Sequence, residues 1–155
     1  MKNVFPYIRR NRSLFIELID SLTLAQINAV PDGFQNSIVW NFGHIGVSTV
    51  ALVYKRTGIW PAHAEIPFFE RYRKGSKHEI DADEDHMAFL KAYSLSSIDQ
   101  LEQDYQAGVF ASMEGYATHT YGLHMSTIEE VITCTLAHDS LHLGYALAQK
   151  RALKL

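Results

Sequence analysis

His138 and His142 are four residues apart. On a helix, that spacing stands two imidazoles one above the other on a single face, close enough to share one ion. A third histidine, His44, lies in a segment that is apolar on nearly every side, one turn beyond Trp40 and just ahead of Val47 and Ala51. Burying imidazoles is costly unless each finds a partner, and a divalent metal would serve all three at once. Two nitrogens from one helix and one from a facing helix leave at least one coordination position open. Catalytic zinc sites have that arrangement, whereas structural ones usually close with four protein ligands. His44, His138 and His142 are therefore the predicted metal ligands.

Spacing alone leaves a rival open, in which each histidine is hydrogen-bonded separately in the core. The chain has eight histidines, so one pair at spacing four is not distinctive. Cys134, one turn before His138, either faces the same cavity or serves as a small core residue. Asp139 directly follows His138 and points about 100° away on an ideal helix, which suggests an outer-shell or surface role. A carboxylate-bridged di-iron site needs Glu three residues before His, and no histidine here has one. The His-Glu-x-x-His pattern of zinc peptidases also fails, because Asp139 stands where Glu is needed.

The elements that must hold these residues read as helices. Phe5, Ile8, Leu14 with Phe15, Leu18 and Leu22 recur near helical spacing, with Arg9, Arg10, Arg12, Glu17 and Asp20 between them, so an amphipathic first helix is expected over about 4–22. Thr23 is expected to cap a short turn through Asn28, and Pro31-Asp-Gly33 breaks the chain. Ser37 suits the N-cap of a second helix running from Ile38 to about Arg56. That helix is apolar almost all round, so it belongs in the centre of the protein or in a dimer interface. Helical patterning returns from Asp83 to Tyr93 and again from Ile98 to about Met113, either as one kinked helix or as two. Ser126 with Glu129 resembles a capping box for a last helix ending near Lys150. On that helix Ile128, Val131, Thr135, His138, His142, Tyr145 and Gln149 form the expected inward stripe.

No strand pattern stands out. The expectation is one all-α domain over residues 1–155, a four-helix bundle with long loops at 58–80 and 114–125. Loops of that length tend to be walls or lids of sites. Arg71, Tyr72, Arg73 and His63 in the first loop, with His119, Tyr121 and His124 in the second, are candidates for substrate contact, though ordinary solvent-facing loop residues would look the same.

The composition allows a core without staples, since 47% of the 155 residues are hydrophobic. The net charge is −3, which argues against a phosphate-backbone partner. One cysteine forbids an internal disulfide, the N-terminus lacks the apolar stretch of a secretory signal, and no apolar run is long enough to cross a bilayer. A cytoplasmic protein with neither nucleic-acid nor membrane partners is expected.

Two segments resemble a known family. Trp40-Asn41-Phe42-Gly43-His44-Ile45, after a Pro-Asp-Gly turn, is similar to the first signature of the DinB-like (YfiT-type) metalloproteins, and His138-Asp-Ser-Leu-His142-Leu-Gly144 to the second. The order, the spacing of the two segments and the overall length agree, so the resemblance spans essentially the whole chain. It implies an up-down-down-up four-helix bundle whose His-triad metal site falls here on His44, His138 and His142. It also implies zinc or nickel as the ion, a homodimer, and a metal-dependent S-transferase using a low-molecular-weight thiol such as bacillithiol, mycothiol or glutathione on a small electrophile. A metal-dependent hydrolase at the same triad, with Asp139 as first candidate for its base, and a non-catalytic metal-binding or dimerisation protein are the alternatives.

Overall fold

The computed structural model describes residues 3–59 and 65–154; the candidate contact His63 lies outside them. Helix α1 spans Val4–Asp20 and α2 Leu24–Asn28. The third helix, α3, covers Ile38–Val50 and passes without a break into a π-helical turn at Ala51–Lys55. A four-residue α4, Phe69–Tyr72, interrupts the long connection that follows, and α5 runs from Glu84 to Gln106. Two short antiparallel strands, β1 (Tyr116–Ala117) and β2 (His124–Met125), precede α6, Ile128–Ala152. The chain is thus mostly helical, with a small hairpin that the sequence pattern did not reveal. Two-residue strands are too short to show alternation.

The helix starts follow local chemistry. Ser37 caps α3 by accepting from Trp40 N–H, and Thr23 forms a full capping box with Gln26 at α2. The box at α6 is Thr127 with Glu130, one residue later than the Ser126–Glu129 pair expected. Ser126 remains outside the helix, where its N–H donates to Glu130.

Each of α1 and α3 packs against both α5 and α6. Phe5, Ile8, Phe15 and Ile19 bring α1 into a core shared with Phe42 and Ile45 of α3, Ile98 and Leu101 of α5, and Val131 and Ile132 of α6. Nearly every residue of α3 is buried within its own chain. Its all-round apolar character therefore needs no second subunit. No helix among the described residues is long and apolar enough to cross a membrane.

Two charged residues depart from the expected pattern. Arg12 is fully buried, not on a solvated face, and so is Asp139. Arg12 Nε donates to Asp139 Oδ2 at 2.8 Å. Its other nitrogens reach Ser94 O and Ser97 Oγ on α5, and Ile45 O and Thr49 Oγ1 on α3. One guanidinium thereby ties all four long helices together. The serines expected to interrupt α5 are explained by the same contacts: Ser94 and Ser97 lie on its buried face and receive Arg12, so the helix continues through them.

The register of α6 also needs correction. Its buried residues are Ile128, Val131, Ile132, Thr135, Asp139, Ala146 and Gln149, while Tyr145 is 54% exposed. The centre of the inward stripe passes through Asp139, and His138 and His142 lie at its edge. An edge position lets two imidazoles face α3 while remaining open to a cleft.

Candidate metal centre

The three predicted ligands meet. One nitrogen from each of His44, His138 and His142 lies within 4.8 Å of the other two, close enough to hold a metal ion. The ring centroids are 5.2 Å apart for His44 and His138, 4.6 Å for His44 and His142, and 4.5 Å for His138 and His142. His44 is buried in α3, and the α6 pair is half-buried.

Hydrogen bonds fix which ring nitrogen faces the centre. His44 Nδ1 donates to the backbone carbonyl of Tyr72 at 2.6 Å, leaving Nε2 as the lone-pair nitrogen. Ser48 Oγ lies 3.2 Å from that Nε2 and can donate to it. His142 Nδ1 is 2.7 Å from Asn41 Oδ1. The Asn41 amide is itself oriented, because its Nδ2 donates to Ser37 O and to Gln149 Oε1, and Gln149 Nε2 donates in turn to Asn36 O. Asn41 can therefore offer His142 only its oxygen, so His142 carries its proton on Nδ1 and turns Nε2 inward. Such outer bonds hold metal-binding imidazoles in the correct tautomer and orientation.

Packing supplies the rest. The Trp40 ring stacks on His44 at 4.7 Å and 11°. Gly43 is required beside it, because a Cβ there would lie 2.6 Å from the Tyr72 ring. Its absence lets Tyr72 lie flat against α3, which brings the Tyr72 carbonyl onto His44. Tyr72 is held from the other side by its hydroxyl, 2.8 Å from His86 Nε2 on α5.

Burial also sets the charge state. Desolvation pushes His44 below the usual imidazole value, against the Tyr72 hydrogen bond, which raises it. It lowers His138 to about 4 and moves His142 down as well, with the neighbouring histidines adding to both shifts. All three imidazoles are neutral at pH 7, as metal ligands must be. The donor set fits a divalent ion that accepts nitrogen ligands, of which zinc and nickel are two.

A cleft of about 590 Å³ opens over the three rings, within the size range of small-molecule sites. Val47, Ala51 and Leu52 of the α3 segment, Phe69 of α4 and Leu141 of α6 give it apolar walls. Of the loop candidates, Arg73, His119 and Tyr121 line it. Tyr72 is buried behind His44, Arg71 donates to Ile80 O, and His124 faces a neighbouring groove instead. Cys134 borders the cleft but stands outside the imidazole cluster, and burial pushes its thiol up. Asp139 is turned away and held by Arg12, so it is neither a surface residue nor a base for this cleft. Residue type and spacing do not mark Asn41, Gln149 or the Tyr72 carbonyl as parts of the site. Asn41 belongs to the Trp-Asn-Phe-Gly-His segment and Gln149 to the expected stripe; a backbone carbonyl leaves no mark in a sequence.

A family model described as the DinB superfamily matches residues 7–146. Comparisons with curated proteins and with solved structures gave no match. The family match covers most of the chain, and the chain belongs to that superfamily.

Proposed function

We propose that this DinB-superfamily chain binds one divalent ion, zinc or nickel, through His44, His138 and His142, and uses it to transfer a low-molecular-weight thiol to a small electrophile. The observation that carries the reading is the convergence of three neutral imidazoles, two with Nδ1 bonded outward, on the floor of an open cleft. When bound, such an ion supplies one kind of chemistry here: it favours the thiolate, the nucleophilic form of a thiol that reaches it.

The chain's own residues do the remaining work. Tyr72 O and Asn41 Oδ1 keep two of the imidazoles presenting Nε2. Trp40 and the apolar walls lower the polarity around the floor of the cleft, which strengthens electrostatic interactions there. Ser48 Oγ stands beside His44 Nε2, where it can donate a hydrogen bond to a bound group. The hydrolytic alternative lacks a carboxylate base, since none lines the cleft among the described residues and Asp139 is committed to Arg12.

The same reading treats the four long helices as an up-down-down-up four-helix bundle forming one domain over residues 1–155. A homodimer belongs to it on the family resemblance alone, because α3 is already buried in its own chain.

The test begins with elemental analysis of untagged protein. One equivalent of metal is expected in wild type and a marked loss in His142→Ala; metal-free wild type, or a variant that keeps its metal in full, rejects the centre. Metal-loaded protein is then mixed with bacillithiol, glutathione or coenzyme A and a chlorinated acceptor. Conjugate above the uncatalysed rate that disappears in His142→Ala supports transfer, and its absence with every thiol rejects it.

A further inference from the structure

The charge around the cleft has one sign. Arg56, Arg73 and Lys74 line it, and no acidic side chain does among the described residues, although the chain carries 17 acidic residues against 14 basic ones. Arg73 is already paired with Glu70 at 2.6 Å. Arg56 and Lys74 have no carboxylate within ion-pair distance among the described residues.

The backbone turns Arg56 to this position. The π-helical turn closes when Arg56 N–H donates to Ala51 O, five residues back, at 2.9 Å. The extra residue stacks Arg56 above Ala51, which lines the cleft; in an uninterrupted α-helix Lys55 would stand there. Lys55 is instead directed onto the Phe69 ring, 4.8 Å from its centroid. The Arg56 guanidinium rests 4.9 Å from the Tyr116 centroid and, among the described residues, hydrogen-bonds only to Ala117 O, at 3.5 Å, so donors remain for a ligand. π-turns are rare and concentrate at functional sites. Lys74 lines the same cleft as His44, His138 and His142.

We propose that the cleft selects small molecules with an apolar body and one carboxylate or phosphate group, which Arg56 and Lys74 receive at the rim while Leu52, Phe69 and Leu141 cover the body. This deepens the preceding reading of the cleft as the ligand site over the three imidazoles. It names the charge class of the molecule that enters.

The test uses isosteric probes, 2-naphthylacetate and 2-naphthylacetamide, with 1-naphthyl phosphate as a second anion. Binding is followed by calorimetry on metal-free and zinc-loaded protein. In the metal-free protein the anions should bind about ten-fold tighter than the amide, a preference that shrinks as sodium chloride is raised. Arg56→Gln with Lys74→Gln, both at exposed positions, should abolish the preference and leave amide affinity and zinc stoichiometry unchanged. Equal binding of acid and amide, or no binding of any probe, overturns the proposal. So does a preference that survives in the double variant or appears only with zinc, since the ion would then be the selector. Wild type that binds no zinc rejects the metal centre instead, and the metal-free arm still decides the anion question.

Discussion

Asn41 Oδ1 lies 2.7 Å from Nδ1 of His142, and the Asn41 amide can present no other atom there, because its nitrogen is donated to Ser37 O and Gln149 Oε1. A side chain of α3 thereby sets the tautomer of a candidate metal ligand on α6. Asn41→Leu keeps the volume and deletes the acceptor, so zinc affinity should fall about 10–100-fold, the usual effect of losing such an outer partner. Asn41→Asp keeps the acceptor facing His142 but turns an oxygen towards Ser37 O and Gln149 Oε1, so it should lose less zinc affinity than Asn41→Leu while also losing fold stability. Competition with a fluorescent chelator measures both; equal losses in the two variants would show that the oxygen is not what matters.

Gly43 is predicted to be intolerant of even one added carbon. A Cβ there would lie 2.6 Å from the Tyr72 ring, and moving Tyr72 moves the carbonyl that holds His44. Gly43→Ala should cost about 1–3 kcal/mol in urea denaturation, the range for overpacking, and should weaken zinc binding as well. Unchanged stability would mean that the close approach is not required.

Arg12 and Asp139 should behave as a coupled pair. Arg12→Met leaves the buried Asp139 carboxylate without its partner and should destabilise by about 3–5 kcal/mol. Adding Asp139→Leu to that variant should restore much of the loss, because an apolar pair of similar volume often replaces a buried ion pair without penalty. A double-mutant cycle in urea gives the answer, and simple additivity would contradict the coupling.

Metal-free protein should lose stability in mild acid. His138 titrates near 4 when folded and near its ordinary 6.5 when unfolded, so between those values the unfolded chain holds the extra proton. Stability then rises with pH across that window and falls as pH drops from 6.5 towards 4. Asp139, raised by burial and lowered by Arg12, contributes in the opposite direction. The comparison with His138→Leu isolates the histidine: wild type should show the steeper fall, by on the order of 2 kcal/mol across the window. Parallel curves for the two proteins would refute this.

Zinc should stabilise the folded state by mass action. With ligands drawn from α3 and α6, one equivalent in excess should raise Tm by several degrees in wild type, an increase absent in His44→Ala. An equal rise in both would place the bound ion elsewhere.

Much of the site was legible in the sequence because its information is local. The His-x-x-x-His spacing puts two imidazoles on one face through helix geometry alone, and the apolar segment around His44 leaves that residue no solvent. The caps at Ser37 and Thr23 are local for the same reason: a side-chain oxygen serves a backbone N–H a few residues away. What failed was pairing across distance. As a charged residue Arg12 reads as part of a polar face, although with Phe5, Ile8, Phe15 and Ile19 it completes a helical stripe. Only its partner, 127 positions along the chain, makes burial affordable for the charge.

The amino-acid sequence by itself determined the helical character of the chain, the family and the three nitrogens that can share an ion, since each depends on residue type and short-range spacing. The tertiary structure decided how they are used. It rotated α6 so that Asp139 meets Arg12 and the histidines sit at the edge, and it brought the Tyr72 carbonyl and Asn41 to the outer nitrogens of two imidazoles. It also turned Arg56 over the cleft through one π-turn. These outcomes depend on contacts between segments tens of residues apart, whose energies exist only once the helices have packed.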